Sequence, residues 1–105
     1  MTKILNLEEL PKIIKKFKNK GKKIVQCHGV FDLLHLGHIK HFENAKNFGD
    51  ILIVTVTPDE YVKKGPNRPV FSLRQRMESL SALEAVDYVV ANKWDNAEKA
   101  IKIVR

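Results

Sequence analysis

Two histidines, His35 and His38, stand three residues apart with Gly37 between them, after a short apolar segment and before a periodic one. Residues three apart in the first turn of a helix point the same way, so both imidazoles can present N–H groups to one oxyanion. The unpaired backbone N–H groups and the positive end of the helix dipole favour an anion at the same place. Gly37 is expected to leave room for a ligand near the backbone. The spacing therefore predicts a phosphate site.

A strand and a helix are predicted on either side of this pair. Residues 23–27 have the composition of a short interior strand, and His28 is expected to end it and to line the pocket. Apolar residues at Ile39, Phe42, Ala45 and Phe48 predict an amphipathic helix that stops at Gly49. A phosphate-binding motif is expected to lie between a strand and a helix, and this context distinguishes it from a chance occurrence of the same residues.

Helix and strand signals alternate along the rest of the chain. We expect a lysine-rich helix at residues 7–19, strands at 51–56 and 86–90, a helix that Ser72 begins, and a last helix from about residue 95. Such alternation predicts an α/β fold with three parallel strands and crossover helices. Ligands of such sheets bind beyond the carboxyl ends of the strands, where residues 29–38 lie.

Composition limits the class of protein. The chain has 105 residues, of which 44% are apolar, and this is enough for one globular domain. Its single cysteine, Cys27, lies in a predicted strand, so no disulfide framework and no metal-ligand spacing exist. No apolar run approaches the roughly 20 residues of a membrane span, and the first residues do not resemble a signal peptide. We expect a cytoplasmic protein that does not enter a membrane.

The formal net charge of +7 raises the question of nucleic acid. Seven lysines occur between residues 12 and 23, where apolar residues at helical spacing leave the remaining positions to solvent. Aromatic residues that could stack on bases are not interleaved with these lysines, as they are in single-strand binders. We therefore expect no nucleic-acid partner, and a basic interaction domain is kept only as an alternative.

Two groups of motifs resemble a known family. Residues 29–32 (Gly-Val-Phe-Asp) and 35–38 (His-Leu-Gly-His) resemble the signature of the cytidylyltransferase-like nucleotidyltransferases, whose HxGH motif binds the triphosphate of ATP or CTP. Residues 68–70, 75–77 and 82–87 resemble the heptose-1-phosphate adenylyltransferase branch of that family. The similarity covers nearly the whole chain.

The resemblance implies a single domain over residues 1–105, with an N-terminal helix and turn at 1–22 and a nucleotide-binding core at 23–105. The implied fold is a Rossmann-like open parallel sheet with helices on both faces. The implied reaction transfers a nucleoside monophosphate from ATP or CTP to a phosphorylated sugar or polyol and releases pyrophosphate. Mg²⁺ would accompany the triphosphate, and a homodimer is expected.

Roles for the turn and the helix start follow from the same resemblance. His35 and His38 would be the catalytic donors to the triphosphate oxygens. The backbone around Gly29, Val30 and Phe31 would support the α-phosphate, and Gly37 would belong to the same binding set. Asp32 would order the loop and would not touch substrate.

Three further cations are candidates for phosphate binding. Lys63 and Lys64 lie in a glycine- and proline-rich loop and resemble in position the lysines that clamp phosphates in related enzymes, with a solvated pair as the alternative. Arg76 matches the family's Gln-Arg pair and would reach the leaving phosphates. A surface salt bridge to Glu78 or Glu84 is the alternative for Arg76.

The sequence also departs from the family. It has His28-Gly29-Val30 where relatives commonly carry Asn-Gly-Cys or Tyr-Gly-Thr. Relatives continue past the last predicted helix into another strand and a serine- and threonine-rich loop, so the resemblance implies a chain that is truncated at its C-terminus. Two alternatives stay open: a cytidylyltransferase for glycerol 3-phosphate or an amino-alcohol phosphate, and a nucleotide-binding module without turnover.

Overall fold

A computed structural model describes residues 3–59 and 70–91. The elements in chain order are β1 (Ile4–Leu5), α1 (Leu10–Asn19), β2 (Ile24–Gly29), α2 (Leu36–Lys46), β3 (Ile51–Val56), α3 (Leu73–Ser81) and β4 (Tyr88–Ala91). The strands form one parallel sheet in the order β1-β4-β3-β2. The predicted open parallel α/β architecture is confirmed, with four strands among the described residues in place of the three predicted.

Strand β3 lies between two other strands and is buried along nearly its whole length. Its run of branched apolar residues suits a strand that is covered on both faces. In the register of the sheet, Gly29 at the end of β2 lies beside Val56 at the end of β3. The carboxyl ends of the two strands therefore coincide, and the turns that follow them lie at one edge of the sheet.

Helices cover both faces, as predicted. On one face, Phe42 of α2 and Leu80 of α3 pack in a cluster with Val54 and Val89 of the sheet. On the other face, the buried residues of α1 pack against Ile53 and its neighbours. Burying each large apolar side chain contributes about 1.5–3 kcal/mol before the entropy cost of folding. The helix that carries the histidines is therefore anchored on the same face as α3.

The first helix begins later than predicted, at Leu10 and not at Leu7. Asn6 closes the preceding turn: its side-chain oxygen accepts from the Glu9 backbone N–H, and the Glu9 carboxylate accepts from the Asn6 N–H, both at 3.1 Å. The helix ends at Asn19, as predicted, and Gly21 shortly after it has a φ of +74°. The seven lysines between residues 12 and 23 are all exposed.

Other boundaries also differ from the predictions. Helix α2 ends at Lys46, so Phe48 lies outside it and is 72% exposed, although the periodicity placed it on the inner face. Strand β4 begins two residues later than predicted. The predicted last helix and the loop at residues 63–69 lie outside the described residues. In the part of the chain that the structure describes, no helix is long and apolar enough to cross a membrane.

Candidate active site

The start of α2 is capped by the two imidazoles themselves. His35 occupies the N-cap position in extended backbone, and its Nδ1 accepts a hydrogen bond of 3.0 Å from the Gly37 N–H. The Nδ1 of His38 accepts in return from the His35 N–H at 3.4 Å. This reciprocal arrangement is a capping box in which histidines replace the usual hydroxyl and carboxamide side chains.

The cap also decides which ring nitrogen holds the proton. An Nδ1 that accepts a backbone N–H carries no proton, so the neutral imidazole carries it on Nε2. Both rings are thereby assigned as Nε2–H donors by their hydrogen bonds. The His35 and His38 rings lie 4.0 Å apart between centroids with their planes 31° apart. The two donors therefore stand side by side, which suits one polyanionic ligand.

Gly37 is required by the cap. A Cβ at this position would lie 2.7 Å from Cε1 of His35 and 2.9 Å from its Nδ1. The space over the glycine is therefore filled by the His35 ring, and the expectation that it leaves room for a ligand is corrected. The glycine lets the imidazole fold back onto its own helix.

The turn between β2 and α2 is held in an unusual backbone conformation. Phe31 has a φ of +53°, which is uncommon for a residue with a side chain. Its ring lies over Gly29, where a Cβ would come within 2.8 Å of the ring. The same ring meets His38 edge-on at 5.7 Å and Phe42 at 5.2 Å between centroids. Phe31 therefore connects the strained turn to the catalytic candidate and to the core.

Asp32 joins this turn to the segment that leads into α3. Its carboxylate is 8% exposed and accepts from the Val70 N–H at 2.8 Å and from the Phe71 N–H at 2.9 Å. A carboxylate that accepts backbone N–H groups is satisfied by charge-assisted hydrogen bonds. The contacts are those of a residue that orders loops, which is the role expected of Asp32 from its place before the helix.

Arg76 is placed differently from its predicted position. It is 1% exposed and makes no pair with Glu78, which instead bonds the exposed Arg74 at 2.8 Å. The Arg76 guanidinium donates to backbone carbonyls of the surrounding loops and to one carboxylate: Val30 O at 2.8 Å, Thr57 O at 2.7 Å, Phe71 O at 3.1 Å and Asp59 Oδ1 at 2.6 Å. These partners replace the predicted phosphate contact with a role in positioning loops.

The sequence analysis did not predict the hydrogen bonds that His28 makes between the ends of β2 and β3. His28 Nδ1 is 2.7 Å from Thr55 Oγ1, and its Nε2 is 3.4 Å from Thr57 Oγ1. Burial lowers the pKa of His28 below its ordinary value, so the ring is held neutral. Thr55 inside an otherwise apolar strand was the one signal for this contact, because a buried hydroxyl needs a partner.

The described residues do not gather ligands for a metal ion. Among residues 3–59 and 70–91, no three histidine, cysteine, aspartate or glutamate side chains lie together at a suitable distance. The carboxylate next to the candidate site, Asp32, already accepts two backbone N–H groups. These residues do not fit a Mg²⁺ held by the protein. Lys63 and Lys64 lie outside the described residues.

Together, the sheet edge, the capped helix start and the strained turn define an open α/β protein with a candidate anion site between a strand and a helix. Residues 26–104 match the sequence model of the family described as cytidylyltransferase-like. The chain therefore belongs to the cytidylyltransferase-like family, and the resemblance found in the motifs is confirmed.

Similar proteins carry consistent names. The chain is 45% identical over 104 residues to the "Bifunctional protein HldE" of Sulfurimonas denitrificans, in a match that covers 97% of this chain and 22% of that protein. It is 45% identical over 100 residues to the HldE protein of Haemophilus ducreyi, with 93% and 21% covered. The chain thus spans about a fifth of the length of these relatives.

A solved structure is also similar. The lipopolysaccharide core biosynthesis protein from Thermoplasma volcanium GSS1 superposes with a TM-score of 0.69 and is 33% identical. The match covers 79% of this chain and 69% of that one. The Rossmann-like fold is confirmed by this neighbour.

Proposed function

We propose that the chain binds the triphosphate of ATP or CTP at the start of α2. It transfers the nucleoside monophosphate to the phosphate of a phosphorylated sugar or polyol and releases pyrophosphate. The resemblance to the heptose-1-phosphate adenylyltransferase branch favours a sugar 1-phosphate as the acceptor and ATP as the donor. Cytidylyl transfer to glycerol 3-phosphate or to an amino-alcohol phosphate is the alternative.

The reaction requires no covalent bond between the protein and the substrate. A phosphate-monoester oxygen attacks the α-phosphorus while pyrophosphate leaves in line, and negative charge grows on the phosphate oxygens. Donors already fixed where that charge develops lower the barrier, because they need not reorganise during the reaction. Mg²⁺ bound to the triphosphate would neutralise part of its charge.

One observation carries the proposal: both imidazoles accept a backbone N–H of the helix start at Nδ1, so each neutral ring carries its proton on Nε2. A histidine that only caps a helix does not need a second imidazole beside it with the proton on the same ring nitrogen. Here two rings are fixed, at the helix end where an anion is favoured. This combination supports an oxyanion-binding role for His35 and His38.

The sharpest test is the substitution His35→Asn. Asparagine is a good N-cap residue, so the helix start is kept while the Nε2–H donor is removed. We expect turnover to fall about 100- to 1000-fold, the typical effect of losing one oxyanion donor, with little change in melting temperature. Pyrophosphate release is measured with ATP and with CTP, plus Mg²⁺ and a panel of phosphate monoesters.

His38→Ala is expected to reduce turnover by a similar factor, with an added loss of stability because the capping box is broken. Near-normal turnover of His38→Ala with both nucleotides would contradict the proposal. Calorimetric binding of ATP or CTP without any pyrophosphate release from the unmodified protein would point to a nucleotide-binding module. If neither nucleotide bound, the remaining hypothesis would be a basic interaction domain.

A further inference from the structure

The buried guanidinium of Arg76 lies where three loops meet behind the anion site. Resting on the proposed function, we propose that Arg76 is a positioning residue that turns the Phe31 backbone N–H toward the bound phosphate. The resemblance already implies that the backbone of Phe31 supports the phosphate, and the proposal deepens that function by naming the residue that orients this donor.

The first step is the orientation of one peptide unit. Arg76 Nη1 donates to the Val30 carbonyl oxygen at 2.8 Å. In a trans peptide the carbonyl of one residue and the N–H of the next point in opposite directions. Because the Val30 oxygen faces the buried guanidinium, the Phe31 N–H faces away from it.

The second step is that this N–H is available. Within the described ranges, the structure gives the Phe31 N–H no acceptor, and the Phe31 ring packs against His38. A backbone N–H near the surface of a turn finds its partner in water or in a ligand. The donor therefore belongs to the same turn as the imidazoles and is ready for an oxyanion.

The third step is the strain in the turn. Phe31 is held at a φ of +53°, a backbone region that residues with side chains seldom occupy. Such a conformation persists only where the surroundings impose it, and it is concentrated at functional sites. Here the hydrogen bond from Arg76 fixes the peptide before Phe31, and the aromatic contacts fix its side chain.

Arginine suits this place for a geometric reason. The guanidinium is a planar fork with five N–H donors, and in Arg76 it serves three carbonyls and Asp59 at once. A lysine ammonium offers three donors and no fork. With three donors for four acceptors it would leave at least one acceptor without a partner, and it has no fork to reach three loops at once. Arg76→Lys is therefore expected to release the Val30 peptide.

The test follows backbone and imidazole signals by NMR while inorganic tripolyphosphate is added. In the unmodified protein we expect the Phe31 amide signal and the His35 and His38 ring signals to shift together. In Arg76→Lys we expect the ring signals still to shift, the Phe31 amide to stop responding, and the dissociation constant to rise roughly 10- to 100-fold. That is the range for a lost hydrogen bond to a charged group.

Two variants serve as controls. Arg74→Lys changes an exposed arginine on the same helix, which forms an ion pair with Glu78, and should behave like the unmodified protein. Asp59→Asn removes the charge of the exposed partner while Arg76 keeps its three carbonyls, and the Phe31 response should persist. If Arg76→Lys does not fold, the inference is tested by the response of the Phe31 amide to tripolyphosphate in the unmodified protein and in Asp59→Asn.

The outcomes separate this inference from the function on which it rests. Ring signals that move while the Phe31 amide stays still in the unmodified protein would overturn the inference and leave the anion site intact. Loss of the Phe31 response in Asp59→Asn, or its persistence in Arg76→Lys, would also overturn it. If neither the rings nor the amide responded to tripolyphosphate, the proposed function itself would fail.

Discussion

His35 uses its two ring nitrogens for two different tasks. Nδ1 accepts the Gly37 N–H and begins the helix, and Nε2 keeps the proton that an oxyanion would receive. Lysine and arginine cannot do both, because neither carries an acceptor. A histidine at this position therefore joins folding and binding in one side chain.

The glycine between the histidines gives a test of that joint role. In Gly37→Ala the new Cβ would lie 2.7 Å from Cε1 of His35, so the imidazole must leave the cap. We expect a loss of about 0.5–2 kcal/mol in the free energy of unfolding, the usual value of an N-cap. We also expect turnover to fall at least as far as in His35→Asn, because the ring loses its position.

The control for Gly37→Ala is Ser72→Ala, which removes the N-cap of α3. The Ser72 hydroxyl accepts from the Gln75 N–H at 3.2 Å, far from the imidazoles in sequence. We expect a similar loss of stability, measured by urea unfolding, with pyrophosphate release retained. Equal turnover in Gly37→Ala and the unmodified protein would show that the ring is not positioned by its cap.

Single residues also show what sequence reasoning could and could not reach. The histidine pair was predictable because its spacing is local and a helix start has known geometry. The burial of Arg76 was not, since its partners come from residues 30, 57, 59 and 71 and are brought together only by the sheet. Arginine is almost never fully buried unless it is paired, and sequence alone shows no pair.

At the scale of elements, a strand with a distinctive composition was predicted to the residue, whereas a two-residue strand was not predicted at all. The branched apolar run of β3 has the predicted bounds, Ile51–Val56. Strand β1 has two residues, too few to show any alternation, and it exists because Ile4 and Leu5 pair with Val89 and Val90 of β4. Its formation depends on tertiary contact.

One carboxylate joins three elements. Asp87, just before β4, accepts from the Leu52 N–H of β3 at 2.7 Å and from Lys46 at the end of α2. We expect Asp87→Ala to lower the free energy of unfolding by about 1–3 kcal/mol, because it leaves a partly buried N–H without its acceptor. Asp87→Asn should cost less, since an amide oxygen can still accept from Leu52.

Urea unfolding measures both Asp87 variants, with Glu78→Gln as the control. Glu78 forms an ion pair with Arg74 at 2.8 Å on the exposed face of α3, and a pair of this kind contributes about 0–1 kcal/mol. A loss in Asp87→Ala no larger than in Glu78→Gln would mean that the carboxylate does not hold the elements together.

At the scale of the whole molecule, charge and site lie on different faces. The exposed lysines of α1 lie on the helix that covers one face of the sheet, where its apolar residues pack on Ile53 and its neighbours. Helix α2 and its imidazoles belong to the opposite face. The net charge of +7 therefore attracts anions to the molecule in general, while the local donors select the place of binding.

The stability of the whole molecule should depend on the protonation of His28. Burial lowers its pKa in the folded protein, while the unfolded chain keeps the ordinary value of 6.5. Well above pH 6.5 the ring is neutral in both states and has no effect on the pH dependence. As the pH falls below 6.5, the unfolded chain takes up the proton first, so the free energy of unfolding decreases until the folded ring also titrates.

Replacing His28 with glutamine should remove this part of the pH dependence. The amide can still bond a threonine hydroxyl of β3 and has no charge to gain, so the curve for His28→Gln should be flatter between pH 7.5 and pH 5. Urea unfolding at several pH values measures it, with His41→Gln, an exposed histidine of α2, as the matched control. Parallel curves for His28→Gln and the unmodified protein would mean that burial does not lower the pKa of His28 in the folded protein.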